Sequence, residues 1–242
     1  MLHRLLILFF LYVPCVHAQF KSTLILGDSH TVGPFGEVLD SYFRSKSDRV
    51  KTVASCGTSP KQWLAGTAST RCGYFSKNEK GYVVRSDSHK GGSFSKEVQS
   101  MNPDLVVMAH GTNILGSRAN VDGEIKSIRE IAKQIRAKGA KCVWVGPPQI
   151  KKPPHANHLN YGAESIRKTV EIEGCLFIDS RKLTSYPARG GDGIHYSGNL
   201  SREWGRKVTQ EIEKSMGRLA PSVKRQRVQS PQSGSGQSSS AQ

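Results

Sequence analysis

Hydrophobic positions along the chain fall into short apolar runs separated by longer amphipathic stretches. Thr23 to Leu26 is apolar and partly β-branched and is closed by Gly27, which predicts a buried strand ending in a turn. A helix is expected around Phe35 to Arg44, and a second strand at Val50 to Ala54. The run DLVVMA, Asp104 to Ala109, is continuously apolar and predicts a strand covered on both faces. Ile125, Ile128, Ile131, Ala132 and Ile135 then recur at helical spacing with charged residues between them, and Gly139 marks the stop. CVWVG from Cys142 and CLFID from Cys175 predict two further strands, with a helix near Ala163 to Glu173 between them. In the last segment Leu200, Trp204, Val208, Ile212 and Met216 recur every four residues, again a helix.

Strands that alternate with helices and lack hairpin signals predict a mostly parallel five-stranded sheet with helices on both faces, a three-layer α/β/α sandwich. Two segments do not fit the alternation. Cys56 to Gly92 is rich in Gly, Ser, Thr and Asn and reads as a long irregular insertion, and GPPQIKKPPHANHLN, from Gly146 on, reads as a proline-rich loop.

The ends read differently from the middle. Residues 1–18 carry Arg4, an apolar run from Leu5 to Val13 and small residues around Ala18, the pattern of a signal peptide cleaved after Ala18. That run is short for a membrane span, so stable membrane insertion is not expected. Residues 19–216 form the single domain. Residues 217–242 begin basic and become Gly, Ser and Gln-rich, a composition that buries no core and predicts a disordered tail.

Export changes the meaning of the cysteines. Cys56, Cys72, Cys142 and Cys175 would lie in a compartment that permits disulfides. Cys142 and Cys175 each open a strand, so neighbouring parallel strands place them side by side, and Cys56 is left to pair with Cys72. No Cys-x-x-Cys pair is present, so no metal site is expected. Lysine and arginine total 35 against 19 acids, a field that favours polyanions. Outside the cytoplasm this points to an anionic glycan, and the absence of an aromatic platform or a basic readout helix argues against nucleic acid.

Reactive groups gather where strands should end. In an open parallel sheet, ligands sit beyond the carboxyl ends of the strands. Those ends carry Gly27-Asp28-Ser29, Gly57, and Gly111-Thr112-Asn113, while Asp192-Gly193-Ile194-His195 precedes the last helix. The residue types suit acyl transfer. Ser29 needs a base, His195 can be that base, and Asp192 can orient its ring. The backbone N–H groups of Ser29 and Gly57 and the side-chain amide of Asn113 are candidate oxyanion donors. His110 and Arg189 are candidate substrate contacts. Trp63, Tyr74 and Tyr186 are candidate sugar-stacking residues that rim or core packing explains equally well. His155 and His158 read as loop histidines and Asp28 as a hydrogen-bonding turn residue.

In order and position these four blocks resemble the SGNH (GDSL-type) hydrolase family, over roughly Thr23 to Met216. The resemblance implies a flavodoxin-like sandwich, no cofactor, and hydrolysis of carboxylic esters, commonly O-acetyl groups on glycans. It carries the catalytic roles onto Ser29, Asp192 and His195 and the oxyanion roles onto Ser29, Gly57 and Asn113. The chain departs from the family pattern at His30, where the lipolytic branch has leucine, and at Ile114, where an aspartate often follows the asparagine. The expectation is a secreted or periplasmic serine esterase acting on an acetylated, anionic envelope polysaccharide such as peptidoglycan. An O-acetyltransferase using the same triad and a glycan-binding module without turnover are the alternatives.

Overall fold

The apolar runs become the parallel strands of a computed structural model that describes residues 19–215. The signal-peptide and tail readings, and Met216, lie outside the described residues. In chain order the strands are β1 (Phe20–Gly27), β2 (Ser47–Ser55), β3 (Ala68–Thr70), β4 (Tyr74–Lys77), β5 (Val83–Ser86), β6 (His89–Gly92), β7 (Leu105–Ala109), β8 (Lys141–Val145) and β9 (Leu176–Ile178). The helices are α1 (Ser29–Val32), α2 (Pro34–Arg44), α3 (Pro60–Ala65), α4 (Phe94–Met101), α5 (Arg118–Ala137), α6 (His155–Ile172) and α7 (Gly198–Ser215).

The main sheet has seven strands rather than five, in the order β5-β4-β2-β1-β7-β8-β9. Strands β2, β1, β7, β8 and β9 run parallel, as the alternation predicts. The other two, β4 and β5, form an antiparallel hairpin added beside β2. They come from the segment read as irregular, which also supplies α3 and the small β3–β6 ribbon. The hairpin is held by polar contacts. Asp40 of α2 is buried and pairs with Lys77 of β4 at 2.7 Å and with Arg44 at 2.9 Å, and it accepts from Thr52 Oγ1 at 2.8 Å.

Alternation along each parallel strand divides the core into two layers. Leu24, Leu26, Val106, Met108 and Trp144 face α3 to α6, where Trp63, Phe94, Ile128, Ile131 and Ile166 meet them. Ile25, Val107, Val143 and Val145 face α2 and α7, against Phe35, Leu39, Trp204, Val208 and Ile212. The three-layer sandwich therefore follows from period-two strands meeting period-3.6 helices. Within α7, Leu200 departs from its expected core place and is largely exposed.

Helix α6 starts earlier than expected. It begins at His155, so His155 and His158 lie in its first turn rather than in a loop. Pro154 occupies the N-cap position, where a missing N–H costs nothing, and so the prolines open this helix rather than excluding it. The two disulfides are Cys56–Cys72 and Cys142–Cys175. The second joins adjacent strand starts, as the register of Val143 with Leu176 requires.

Close packing at the end of β1 fixes the next turn. A Cβ on Gly27 would overlap the Thr31 side chain in α1. Gly27→Ala is expected to destabilise the protein by about 1–3 kcal/mol through overpacking, read as a lower midpoint of chemical unfolding. An unchanged midpoint would show that α1 can shift away from β1 freely.

Candidate active site

The chain crosses from one face of the sheet to the other between β1 and β7. The helix after β1, α2, packs in one layer, and the helix after β7, α5, packs in the other. A crevice forms at such a switch point, beyond the carboxyl ends of the strands. Ser29 opens α1 directly after β1, and Asn113 lies in a 3-10 turn (Thr112–Ile114) after β7.

Three side chains form a hydrogen-bonded chain there. Ser29 Oγ is 2.9 Å from His195 Nε2, and His195 Nδ1 is 2.6 Å from Asp192 Oδ2. With its proton on Nδ1, the imidazole donates to Asp192 and accepts from the Ser29 hydroxyl. The other Asp192 oxygen, Oδ1, accepts from the backbone N–H groups of Ile194 at 2.8 Å and His195 at 2.7 Å. Partial burial raises the Asp192 carboxyl, but the His195 ring and these N–H groups outweigh it and hold the group below the usual carboxylate range. The His195 and Asp192 side chains both stay about half exposed, at 47%, so the Asp192 charge is open to water on one side.

The loop that presents them is pinned from below. Tyr186 Oη accepts from Gly193 N at 2.9 Å and donates to His195 O at 3.1 Å. Tyr186 thus braces the Asp192–His195 loop. Lys151 and Lys152 donate their backbone N–H groups to Gly193 O, tying the same loop to the segment before α6.

The oxyanion candidates come from different strands. Gly57 follows β2 with φ of 74°, left-handed backbone that glycine adopts without strain. Asn113 Nδ2 donates one hydrogen to Thr58 O at 3.0 Å. This bond ties the β7 turn to the Gly57–Thr58 turn and leaves the second amide hydrogen for a ligand.

Behind the rim lie buried polar groups. Asp28 caps α1 by accepting from His30 N at 3.1 Å. Burial pushes its carboxyl up to about 7, against the pull of the His30 N–H, the His195 charge and the Thr112 and Gly111 N–H groups. His30 is buried, with its ring 5.2 Å from both the His195 and the Trp204 rings. Burial pushes it down to about 3. His30 therefore stands beside the His195 ring, backed edge-on by Trp204, a role that sequence reasoning missed. Its faint signal was a histidine directly after the serine, together with a tryptophan on the core stripe of α7.

Other candidates are sorted by burial. His110 is 2% exposed and sits in the core 6.3 Å from the Trp63 ring, so it is a core residue and not a substrate contact. Trp63 is itself fully buried, with its indole N–H on Thr58 Oγ1 at 3.1 Å. Tyr74 is half-buried and stacks on His89 at 3.9 Å. Arg189 is exposed on the loop that leads to Asp192. No cluster with metal-ligand composition occurs among the described residues, and no helix among them is long and apolar enough to cross a membrane.

Comparison with known proteins agrees with this architecture. A family model described as a protein of unknown function (DUF459) matches residues 125–209, a span that includes Asp192 and His195 but not Ser29. No curated protein matches the chain. Among solved structures, the acetylxylan esterase Axe2 from Geobacillus stearothermophilus is 15% identical with a TM-score of 0.54, over 79% of this chain and 94% of that one. A GDSL-like lipase from Bacteroides thetaiotaomicron is 16% identical with a TM-score of 0.52, over 81% and 89%. TesA is 17% identical with a TM-score of 0.57, over 80% and 99%. The chain has the SGNH (GDSL-type) hydrolase fold.

Proposed function

We propose that this chain is a serine esterase that removes acetyl groups from an anionic cell-envelope polysaccharide such as peptidoglycan. The observation that carries the reading is the Ser29–His195–Asp192 chain, with spacings of 2.9 and 2.6 Å, at the switch point of the sheet. Ser29 Oγ attacks the ester carbonyl as His195 Nε2 takes its proton. The oxyanion so formed meets the Ser29 and Gly57 N–H groups and the free Asn113 amide hydrogen. Collapse breaks the bond to the sugar oxygen, which leaves with the proton from His195. Water then attacks the acyl-enzyme with His195 again as base, releasing acetate and restoring Ser29.

Three observations support the substrate and the location. The acetylxylan esterase among the structural neighbours acts on an acetylated polysaccharide, and the excess of basic residues here favours an acidic one. Two disulfides favour an oxidising compartment, outside the cytoplasm.

The test is acetate release from O-acetylated peptidoglycan, O-acetylated xylan and p-nitrophenyl acetate, with analysis of the glycan product. Turnover of all three with the highest kcat/KM on peptidoglycan is the expected result. Acetyl transfer to an added glycan acceptor in place of free acetate would replace hydrolysis by transfer. No turnover on any ester by folded protein would leave a binding module.

A further inference from the structure

The Cys56 to Gly92 insertion forms an open cleft of about 600 Å³, lined by Thr70, Arg71, Asp87, Ser88, His89 and Lys90 among others. That volume is within the range of small-molecule sites. Its walls are tied to the oxyanion turn. A Cβ on Gly57 would lie 3.7 Å from Cys72 Sγ, and Cys72 N donates to Thr70 Oγ1 at 3.0 Å. Cys56 N donates to Gly73 O at 2.9 Å, and Gly73 N donates to Asp87 O at 3.1 Å. Through the Cys56–Cys72 disulfide, whose Cα–Cα distance is 5.6 Å, Arg71 of the cleft lies within about 13 Å of Gly57, Cα to Cα. The Cys56–Cys72 disulfide fixes this adjacency covalently.

The chemistry of the lining is selective. Arg71 and Lys90 are exposed and have no ion-pair partner among the described residues, unlike Arg44, Arg85 and Lys77 of the same region. One carboxylate, Asp87, lines the cleft with these two cations and makes no ion pair with either. His89 is held flat against Tyr74, which pairs with Ser55 at the end of β2. A guanidinium is suited to a carboxylate because it offers paired N–H donors in a planar fork. Two cations against one carboxylate, beside hydroxyls and an aromatic stack, describe a place for an acidic sugar.

We infer that this cleft is a subsite for a carboxylate-bearing sugar next to the acetylated one, with Arg71 and Lys90 holding the carboxylate. The inference rests on the esterase reading for its link to catalysis. The insertion would then set substrate choice, while the sandwich supplies the chemistry.

Calorimetric titration of the full chain with two tetrasaccharides free of O-acetyl groups tests it. One alternates N-acetylglucosamine and N-acetylmuramic acid with free lactyl carboxylates; the other, the tetramer of N-acetylglucosamine, has the same backbone without them. At low salt the acidic tetrasaccharide is expected to bind at least about tenfold more tightly, because each charge-assisted contact strengthens binding. The preference should vanish in Arg71→Ala/Lys90→Ala, with p-nitrophenyl acetate turnover unchanged within about twofold, and survive in Arg189→Ala. Equal affinity for the two sugars, loss of the preference only in Arg189→Ala, or binding of poly(glycerol phosphate) with no preference for the carboxylate sugar would each overturn the subsite. If wild-type protein shows no ester turnover, the esterase reading fails by itself, and the titration still judges the subsite.

Discussion

Ser29→Ala and His195→Ala are each expected to lower kcat/KM on p-nitrophenyl acetate by about 10⁴-fold or more. The thermal midpoint should stay near the wild-type value. Ser29 Oγ bonds only the His195 ring at 2.9 Å, and in Ser29→Ala that ring remains anchored on Asp192. The loss is therefore one of nucleophile or base, not of fold. Asp192→Asn should cost about 10⁴-fold as well, because the amide no longer fixes the proton on Nδ1. It should also leave the loop less well held, since Oδ1 is the acceptor for two backbone N–H groups. Asn113→Ala should cost a smaller factor, about 10²–10³ in kcat, with little change in KM. A double Ser29→Ala/His195→Ala variant should be no worse than either single one, because the two act as a unit. If Ser29→Ala keeps wild-type turnover, Ser29 is not the nucleophile and the proposed mechanism is wrong.

How far this site is legible in the sequence depends on which forces place each part. The parallel strands and their order of use are carried by local hydrophobic runs, and the residues at strand ends are then placed by topology alone. That is why Ser29, Gly57 and Asn113 can be assigned to one rim before any coordinates are consulted. The pairing of Cys142 with Cys175 is legible for the same reason, since each opens a strand of one parallel pair.

Long-range polar contacts carry the rest, and they leave no local pattern. The β4–β5 hairpin is short, and its strand β5 is exposed throughout, so no alternation marks it. It docks through Lys77 on Asp40 and through Arg85, which reaches Glu37 at 2.6 Å and Val32 O at 2.9 Å, across about fifty residues of chain. Likewise, nothing local distinguishes a core His110 from a rim histidine. Its burial follows from its place between the main sheet and Trp63, and Trp63 is positioned by the insertion. The brace by Tyr186 is equally silent in sequence, because it is made by a hydroxyl reaching backbone several residues away.

Stability should fall on mild acidification through the buried groups behind the site. His30 and His110 are held neutral by burial, with their pKa pushed down to about 3. Below pH of about 6.5 the unfolded chain takes up protons at these residues that the folded chain does not, so stability drops as pH falls. Asp28 acts in the opposite direction. Its folded pKa is raised to about 7, so between about 7 and 4 the folded chain holds a proton that the unfolded chain has released, and stability rises as pH falls. From pH of about 6.5 to about 4.5 each histidine withdraws about 2 kcal/mol and Asp28 returns about 2 kcal/mol, leaving a net loss of about 2 kcal/mol. For a domain of this size, that is a midpoint lower by about 4–8 °C. At the acid end of the window the glutamates and Asp192, whose carboxyls the fold holds below their usual range, begin to add a loss of the same sign as that of the histidines. His110→Leu separates these terms. It removes one buried histidine whose ring nitrogens have no protein partner, while the His110 backbone oxygen can still accept from Trp144 Nε1. The remaining His30 and Asp28 then act in opposite directions, so the fall of the midpoint with acidification should be shallower than in wild type. A wild-type midpoint that is already flat, or a His110→Leu slope equal to that of wild type, would show that these groups do not titrate as their burial requires.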